Sequence, residues 1–266
     1  MKGEDLRGKC AIVTGASMGI GRAIAQALAR EGVGVVITSR GKSGKTDALF
    51  SVQKEIQTSG GRAAAVRADV SREEDVKRLV EKAREEFGRV DILVNNAAIF
   101  PHYHLPLVDL PVESWDQIMA INLRGVFLCL KAVLPLLIDQ KGGSIINISS
   151  IAAVRAGKER IAYGVSKAGV ERMTFGLADE VREYNIAVNA LSPIGLTDTP
   201  SARVTFPGQD IDRWVQPEDM ARAAVWLARQ TASTFTGKAV MVPGQGQKTI
   251  FIYGRGLAER PWELID

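Results

Sequence analysis

Cysteine and histidine are nearly missing from this sequence, each occurring twice in 266 residues. Cys10 and Cys129 form neither a metal-ligand nor a redox spacing, so no disulfide framework and no thiolate cluster is expected. They read as small core residues of a protein kept in a reducing cytoplasm. His102 and His104 flank Tyr103, but no carboxylate or cysteine companion completes a ligand set. No metal is expected, and the pair reads as ordinary loop or pocket wall. Long apolar runs are scarce too. The densest, Val133 to Ile138, is interrupted by Pro135 and too short to span a bilayer. The polar start, Met1 to Lys9, offers no apolar stretch for a secretory signal, and no membrane partner is expected. There is no linker, fixed-period repeat or charge run. The net charge is +4, with Lys and Arg scattered rather than massed in a stripe, which argues against a nucleic-acid partner. A chain 46% hydrophobic and 24% charged fits one globular domain over 1–266.

What the sequence does contain is an alternation. Apolar, β-branched runs at Cys10–Thr14, Val33–Thr38, Ala63–Ala68, Asp91–Val94, Ser144–Ser149, Ile186–Leu191 and Ala239–Val242 predict about seven buried strands. Helical patterns fall between them: Gly19–Arg30, Lys45–Thr58, Arg72–Phe87 stopping at Gly88, Glu113–Ile138 with a break expected near Pro135, Ala162–Arg182, and Pro217–Arg229. Such alternation predicts an α/β fold of the Rossmann type, a doubly wound parallel sheet with helices on both faces. Ligands then bind beyond the carboxyl ends of the strands, where the strand order reverses. The core spans about 6–242. The extension, 243–266, receives no element, but Phe251, Tyr253 and Trp262 predict that it packs against something.

The first strand is followed by Thr14-Gly15-Ala16-Ser17-Met18-Gly19-Ile20-Gly21, then by a helix. Glycines there permit a tight turn and let backbone N–H groups approach a pyrophosphate at the positive helix end. A glycine-rich turn alone is weak evidence, because any loop needing positive φ uses glycine. Its place between strand and helix is what makes it informative. Gly44-Lys45-Thr46 has the end of a P-loop, but Ser39 stands where that pattern needs its first glycine.

Tyr163 and Lys167 are four residues apart in a helical segment and share one face. A free phenol, with a pKa of about 10, is poorly matched to proton transfer at neutral pH. A neighbouring ammonium favours the phenolate, so the spacing predicts a lowered Tyr163 pKa. Ser150 ends a strand, where its hydroxyl can hold a substrate oxygen near Tyr163. At the end of the second strand stands Ser39-Arg40, followed by Lys42 and Lys45, rather than a carboxylate. A carboxylate would repel a 2′-phosphate, whereas Arg40 offers it a planar fork. NADP(H) is therefore expected ahead of NAD(H).

These motifs together resemble the short-chain dehydrogenase/reductase family, in its single-domain type similar to 3-oxoacyl-carrier-protein reductases. The resemblance runs from about Leu6 to Val242 and includes three residues between Gly15 and Gly19, the Asn95-Asn96-Ala97-Ala98 turn, Asp69-Val70, Asn122, and Ser150, Tyr163 and Lys167 at the catalytic spacing. It implies that Tyr163 is the general acid/base and that Ser150 binds the substrate oxygen. It further implies that Lys167 grips the nicotinamide ribose and that Asn122 holds a relay water. Gly15, Ser17, Met18, Gly19, Ile20, Gly21, Ser39, Arg40, Asp69, Val70, Asn96, Ala97, Ala98, Tyr163, Lys167, Pro193, Leu196 and Thr197 would line the cofactor. The same resemblance implies a homodimer or homotetramer built on the long helices. The expected activity is hydride transfer between NADP(H) and a small-molecule alcohol or carbonyl. The alternatives are a cofactor-binding scaffold or sensor with little or no catalysis, and an epimerase or dehydratase on the same fold.

Departures concentrate after the sixth strand. Relatives carry Pro-Gly and then a Thr for the nicotinamide amide. Here Pro193-Ile194-Gly195-Leu196-Thr197-Asp198-Thr199 displaces the glycine and puts Asp198 at the Thr position. The stretch Pro193–Pro217 is short for a substrate lid and predicts an open or unusually placed pocket. Pro243 replaces a usual acidic residue.

Overall fold

The computed structural model describes residues 4–41, 47–245 and 251–254. The strands are β1 (Cys10–Thr14), β2 (Gly34–Ser39), β3 (Arg62–Arg67), β4 (Ile92–Asn95), β5 (Gly143–Ile148), β6 (Ile186–Pro193), β7 (Lys238–Val242) and β8 (Phe251–Tyr253). They form one sheet in the order β3-β2-β1-β4-β5-β6-β7-β8. Pairing is parallel throughout except between β7 and β8. Chain order reverses between β1 and β4, and this gap opens the crevice where such sheets bind ligands. The sheet has eight strands, not the seven expected, because β8 adds an antiparallel edge from the extension that received no element.

The helices are α1 (Gly19–Arg30), α2 (Ala48–Thr58), α3 (Glu73–Phe87), α4 (Val112–Ile118), α5 (Gly125–Gln140), α6 (Ile161–Glu180), α7 (Pro200–Thr205) and α8 (Pro217–Ala228). Period-two alternation along β1 divides the core. Ala11 and Val13 face α1, α2 and α8, packing with Ile24, Leu28, Val52 and Leu227. Cys10 and Ile12 face α3, α5 and α6, packing with Leu79, Val126, Val133 and Val170. Strands buried on both faces read as continuous apolar runs, which is why they were visible in sequence. Gly88, at φ 74°, ends α3 as its sequence predicts. The helix expected from Lys45 begins at Ala48, where Asp47 caps it by accepting from the Leu49 N–H at 3.2 Å. Residues 42–46, with the Gly44-Lys45-Thr46 triplet, lie outside the described ones.

The long helix does not break at Pro135, which sits inside α5. Pro135 and Lys131, four residues before it, are both exposed. Water can serve the carbonyl that the proline ring leaves without a donor. The irregularity lies earlier, as a π-helical turn over Met119–Arg124 that joins α4 to α5. The joined rod, Val112–Gln140, is apolar and long enough at 29 residues to cross a bilayer, but half of its apolar window is buried in the protein. Its apolarity is therefore that of a core helix contacting α3, β4 and β5.

Candidate active site

Gly15 and Gly19 take φ of 66° and 56°, the left-handed region that the turn after β1 requires. A Cβ on Gly15 would meet the Ala97 Cα at 2.8 Å, and one on Gly21 would run into the Asn96 amide and the Gly15 carbonyl. The two turns are tied together here. The Asn96 side chain donates to the Thr14 and Gly15 carbonyls at 2.9 and 3.0 Å, while the Thr14 hydroxyl accepts the N–H groups of Asn96 and Ala97. Asn96 thus shapes the cradle. Met18 gives α1 no side-chain cap, and no acidic residue occupies its first turn. Unclaimed N–H groups at a positive helix end suit an anion. Ser17, Ile20 and Ala98 lie partly buried around this crevice.

Other polar atoms also fit a dinucleotide. The Ser39 and Thr197 hydroxyls are buried without a hydrogen-bond partner, one at the end of β2 and the other just beyond β6. Arg40 is exposed beside Ser39 and makes no ion pair among the described residues. The Asp69 carboxylate accepts from the N–H and hydroxyl of Ser71 at 3.0 and 2.7 Å. The Val70 side chain packs on Gly125, where a Cβ would come within 2.7 Å, so Val70 offers a ligand only its backbone. Pro193 is buried and Leu196 half-buried on the approach to Thr197. Asp198 is turned away to Arg203, with contacts of 2.5 and 2.8 Å, and that guanidinium holds its carboxyl below the ordinary range. Thr197, not Asp198, is therefore the residue that presents a free hydroxyl.

Four candidate catalytic side chains converge at the carboxyl end of the sheet. Tyr163 and Lys167 share a face of α6, with the Lys167 Nζ 5.8 Å from the Tyr163 ring centroid. Ser150, at the end of the β5 connection, hydrogen-bonds Tyr163. Asn122 is fully buried in the π-helical turn, where its side chain accepts the Ile99 N–H at 2.8 Å and donates to the Ile99 carbonyl and the Ser166 hydroxyl. A π turn at such a position is a frequent mark of functional sites.

The expected depression of the Tyr163 pKa is not what the chain alone produces. Burial pushes the phenol up and Tyr103 adds to the rise, while the Ser150 hydrogen bond opposes it. Lys167 donates a hydrogen bond to the Ile148 carbonyl at 2.7 Å, because a buried ammonium needs an acceptor. Burial draws Lys167 itself down to about 8.

Aromatic rings narrow the pocket around Tyr163. Rings of Phe100 and Tyr103 stand 5.9 and 5.6 Å from the Tyr163 ring, edge to face. Phe206, just after α7, packs on Tyr103 and His104 at 5.3 and 5.2 Å, and His104 meets the Thr205 carbonyl at 3.2 Å. The short segment suffices as a lid because one six-residue helix lays Phe206 directly on the histidine loop. The space left against Tyr163 is about 10 Å³, lined also by Ile118 and Arg160. The Arg160 Nε is buried without a partner. His102 bonds the Ser114 hydroxyl at 2.8 Å, a loop anchor, and no group able to hold a metal occurs among the described residues. Sequence reading missed Phe100, Phe206 and Glu171, and gave Tyr253 only a packing role. Of these, Glu171 carried a signal in its spacing of one further helical turn beyond Lys167.

A family model described as enoyl-(acyl carrier protein) reductase matches residues 15–244. A curated 3-oxoacyl-[acyl-carrier-protein] reductase of Synechocystis sp. is 37% identical over 244 residues, covering 90% of this chain and 97% of the relative. Glucose 1-dehydrogenase 2 of Bacillus subtilis is 34% identical over 251 residues, covering 91% and 95%. The crystal structure of a metagenomic short-chain oxidoreductase in complex with NADP superposes with a TM-score of 0.78 at 32% identity, covering 92% of this chain and all of the other.

Proposed function

This chain belongs to the short-chain dehydrogenase/reductase family, and on that footing we propose that it transfers hydride between NADP(H) and an alcohol or carbonyl substrate, with Tyr163 as acid/base. The observation that carries the reading is the convergence of Tyr163, Ser150 and Lys167 beside the glycine turn. When bound, the nicotinamide supplies or accepts the hydride and, in its oxidised form, adds positive charge beside the phenol. The chain's own work is positional. Gly15 to Gly21 and the bare end of α1 hold the pyrophosphate, Asn96 sets the width of that cradle, and Thr197 serves the carboxamide. Ser39 and Arg40 take the adenosine ribose and its 2′-phosphate, which favours NADP(H). Ser150 hydrogen-bonds the substrate oxygen while the Tyr163 hydroxyl gives or takes its proton. Lys167 holds positive charge behind the phenol and binds the nicotinamide ribose, and Asn122 fixes the backbone at Ile99. Phe100, Tyr103 and Phe206 exclude water and give the pocket an apolar, ring-lined wall.

A second copy of the chain completes the assembly as a homodimer or homotetramer. Phe127 on α5, 50% exposed, lines a groove with Met119, Leu123 and Met173, and Val165 on α6 is 45% exposed. Buried free cysteines fit a reducing cytoplasm. The test is a panel of ketones and β-keto esters with NADPH followed by absorbance, run beside Tyr163→Phe. Turnover by the wild type and loss in the variant are expected. Tight NADPH binding with no turnover on any carbonyl would instead support the scaffold.

A further inference from the structure

We propose that Glu171, clamped by Tyr253 of the terminal strand and by Ser149, is the counter-charge of Lys167 and thereby a positioning residue for the acid/base; the inference rests on the hydride-transfer reading above. Tyr163, Lys167 and Glu171 stand at successive four-residue steps on one face of α6. Lys167 and Glu171 are 3% and 4% exposed, two opposite charges enclosed one turn apart. Buried charge is tolerated only when paired and hydrogen-bonded. The Lys167 ammonium donates to the Ile148 carbonyl, so its relation to Glu171 is one of charge across a helical turn. Glu171 is held by others. The Ser149 hydroxyl donates to its Oε1 at 2.7 Å, and the Tyr253 hydroxyl bridges both carboxylate oxygens at 2.7 Å.

The direction of each effect follows from this arrangement. Burial works to neutralise Glu171, and three influences oppose it: the Tyr253 hydroxyl, the Ser149 hydroxyl and the Lys167 charge. Burial likewise works to deprotonate Lys167, and the Glu171 charge opposes it. The hydroxyls favour the ionised carboxylate and the carboxylate favours the ammonium; a charged Lys167 behind the ring would in turn favour the Tyr163 phenolate. Among the described residues, Tyr103 stands against the Tyr163 ring, His102, Glu159 and Arg160 line the same space as Tyr163, and the Nζ of Lys238 at the start of β7 lies close to Gly254. The Ile148 carbonyl at the end of β5 and the Ser149 hydroxyl just after it also face the row.

Tyr253 reaches Glu171 because β8 pairs antiparallel with β7, setting Tyr253 opposite Ala239, and its ring packs on Phe175 at 6.3 Å. The terminal strand thus takes part in the electrostatics of the site as well as covering a sheet edge. A merely structural tail dock would need the Tyr253 bond but not the negative charge.

Glu171→Gln in the full chain separates the two, keeping shape and hydrogen bonding while removing the charge. The first readout is the chain alone, with Cε-labelled lysine followed by NMR and the Lys167 signal identified by its loss in Lys167→Met. The Lys167 midpoint is expected to fall by about one pH unit in Glu171→Gln, and by less in Tyr253→Phe, which leaves the carboxylate in place. The second readout is the pH profile of kcat/KM for alcohol oxidation, whose acid limb moves to higher pH in both variants, giving about tenfold lower activity at a fixed pH on that limb. Well-folded variants with an unmoved lysine midpoint and an unmoved limb, whatever their melting temperatures, overturn the inference. A wild type that turns over no substrate, with the lysine midpoint still moving, overturns the hydride-transfer reading instead and leaves the charge pairing standing.

Discussion

The Lys167 Nζ lies 5.8 Å from the centroid of the Tyr163 ring and donates to the Ile148 carbonyl at 2.7 Å. Its pKa falls to about 8 from 10.5 because it is buried. Between those values the unfolded chain binds the proton that the folded chain has released, so stability attributable to Lys167 rises with pH across this window. Below about 8 the folded protein carries the full burden of an enclosed charge. The stability difference between Lys167→Met and the wild type should therefore shift in the wild type's favour by an amount on the order of 3 kcal/mol between pH 7 and pH 10.5. Urea unfolding of both proteins at the two pH values checks this, and a gap independent of pH refutes it.

Tyr163→Phe removes the proton donor without disturbing the aromatic contacts to Phe100 and Tyr103. Turnover should fall by about a thousandfold. The NADPH dissociation constant from fluorescence titration should stay within about threefold, since the ring is retained; turnover at near wild-type rate ends the acid/base assignment.

Arg40→Ala tests the cofactor. A charge-assisted contact to the 2′-phosphate is worth about 1.5–3 kcal/mol, so the KM for NADPH should rise about ten- to a hundredfold while that for NADH hardly moves. Equal effects on both would remove Arg40 from the phosphate site.

Asp91 is 5% exposed, accepts the Cys10 N–H at 2.9 Å and is gripped by the Arg89 fork at 2.8 and 2.6 Å. Asp91→Ala strands a buried N–H at the start of β1 and should lower unfolding free energy by about 2–3 kcal/mol with the fold retained. Denaturant midpoints give the answer, and a loss below about 0.5 kcal/mol contradicts it.

Burial pushes both the Cys10 and Cys129 thiols up to about 12 from 9.0. The thiolate is the nucleophile, so alkylation by iodoacetamide at pH 8 should run about a thousandfold slower than for a free thiol and become fast only on unfolding. Rapid labelling of the folded chain would show that these side chains are reachable.

Alternation of buried strands with amphipathic helices is a local pattern, and it placed seven of the strands and the main helices within a few residues. The shared face of Tyr163 and Lys167 was legible for the same reason, since their one-turn spacing follows from helix geometry. The π-helical turn was not legible, because Met119–Arg124 has an ordinary helical composition and its register is set by the buried bonds of Asn122 to Ile99 and Ser166.

The sequence by itself determined the doubly wound sheet, the glycine turn and the Tyr163–Lys167 pairing on one helix face, because each rests on contacts between near neighbours along the chain. Tertiary structure alone decided three things. It seated Phe206 over the histidine loop, turned Asp198 away from the crevice to Arg203, and brought Tyr253 across 82 residues to Glu171. Such meetings depend on which surfaces remain uncovered once the sheet has formed. Burial then governs the charges: it raises the phenol that spacing alone would have lowered, because removing water penalises an anion whatever cation stands one turn away.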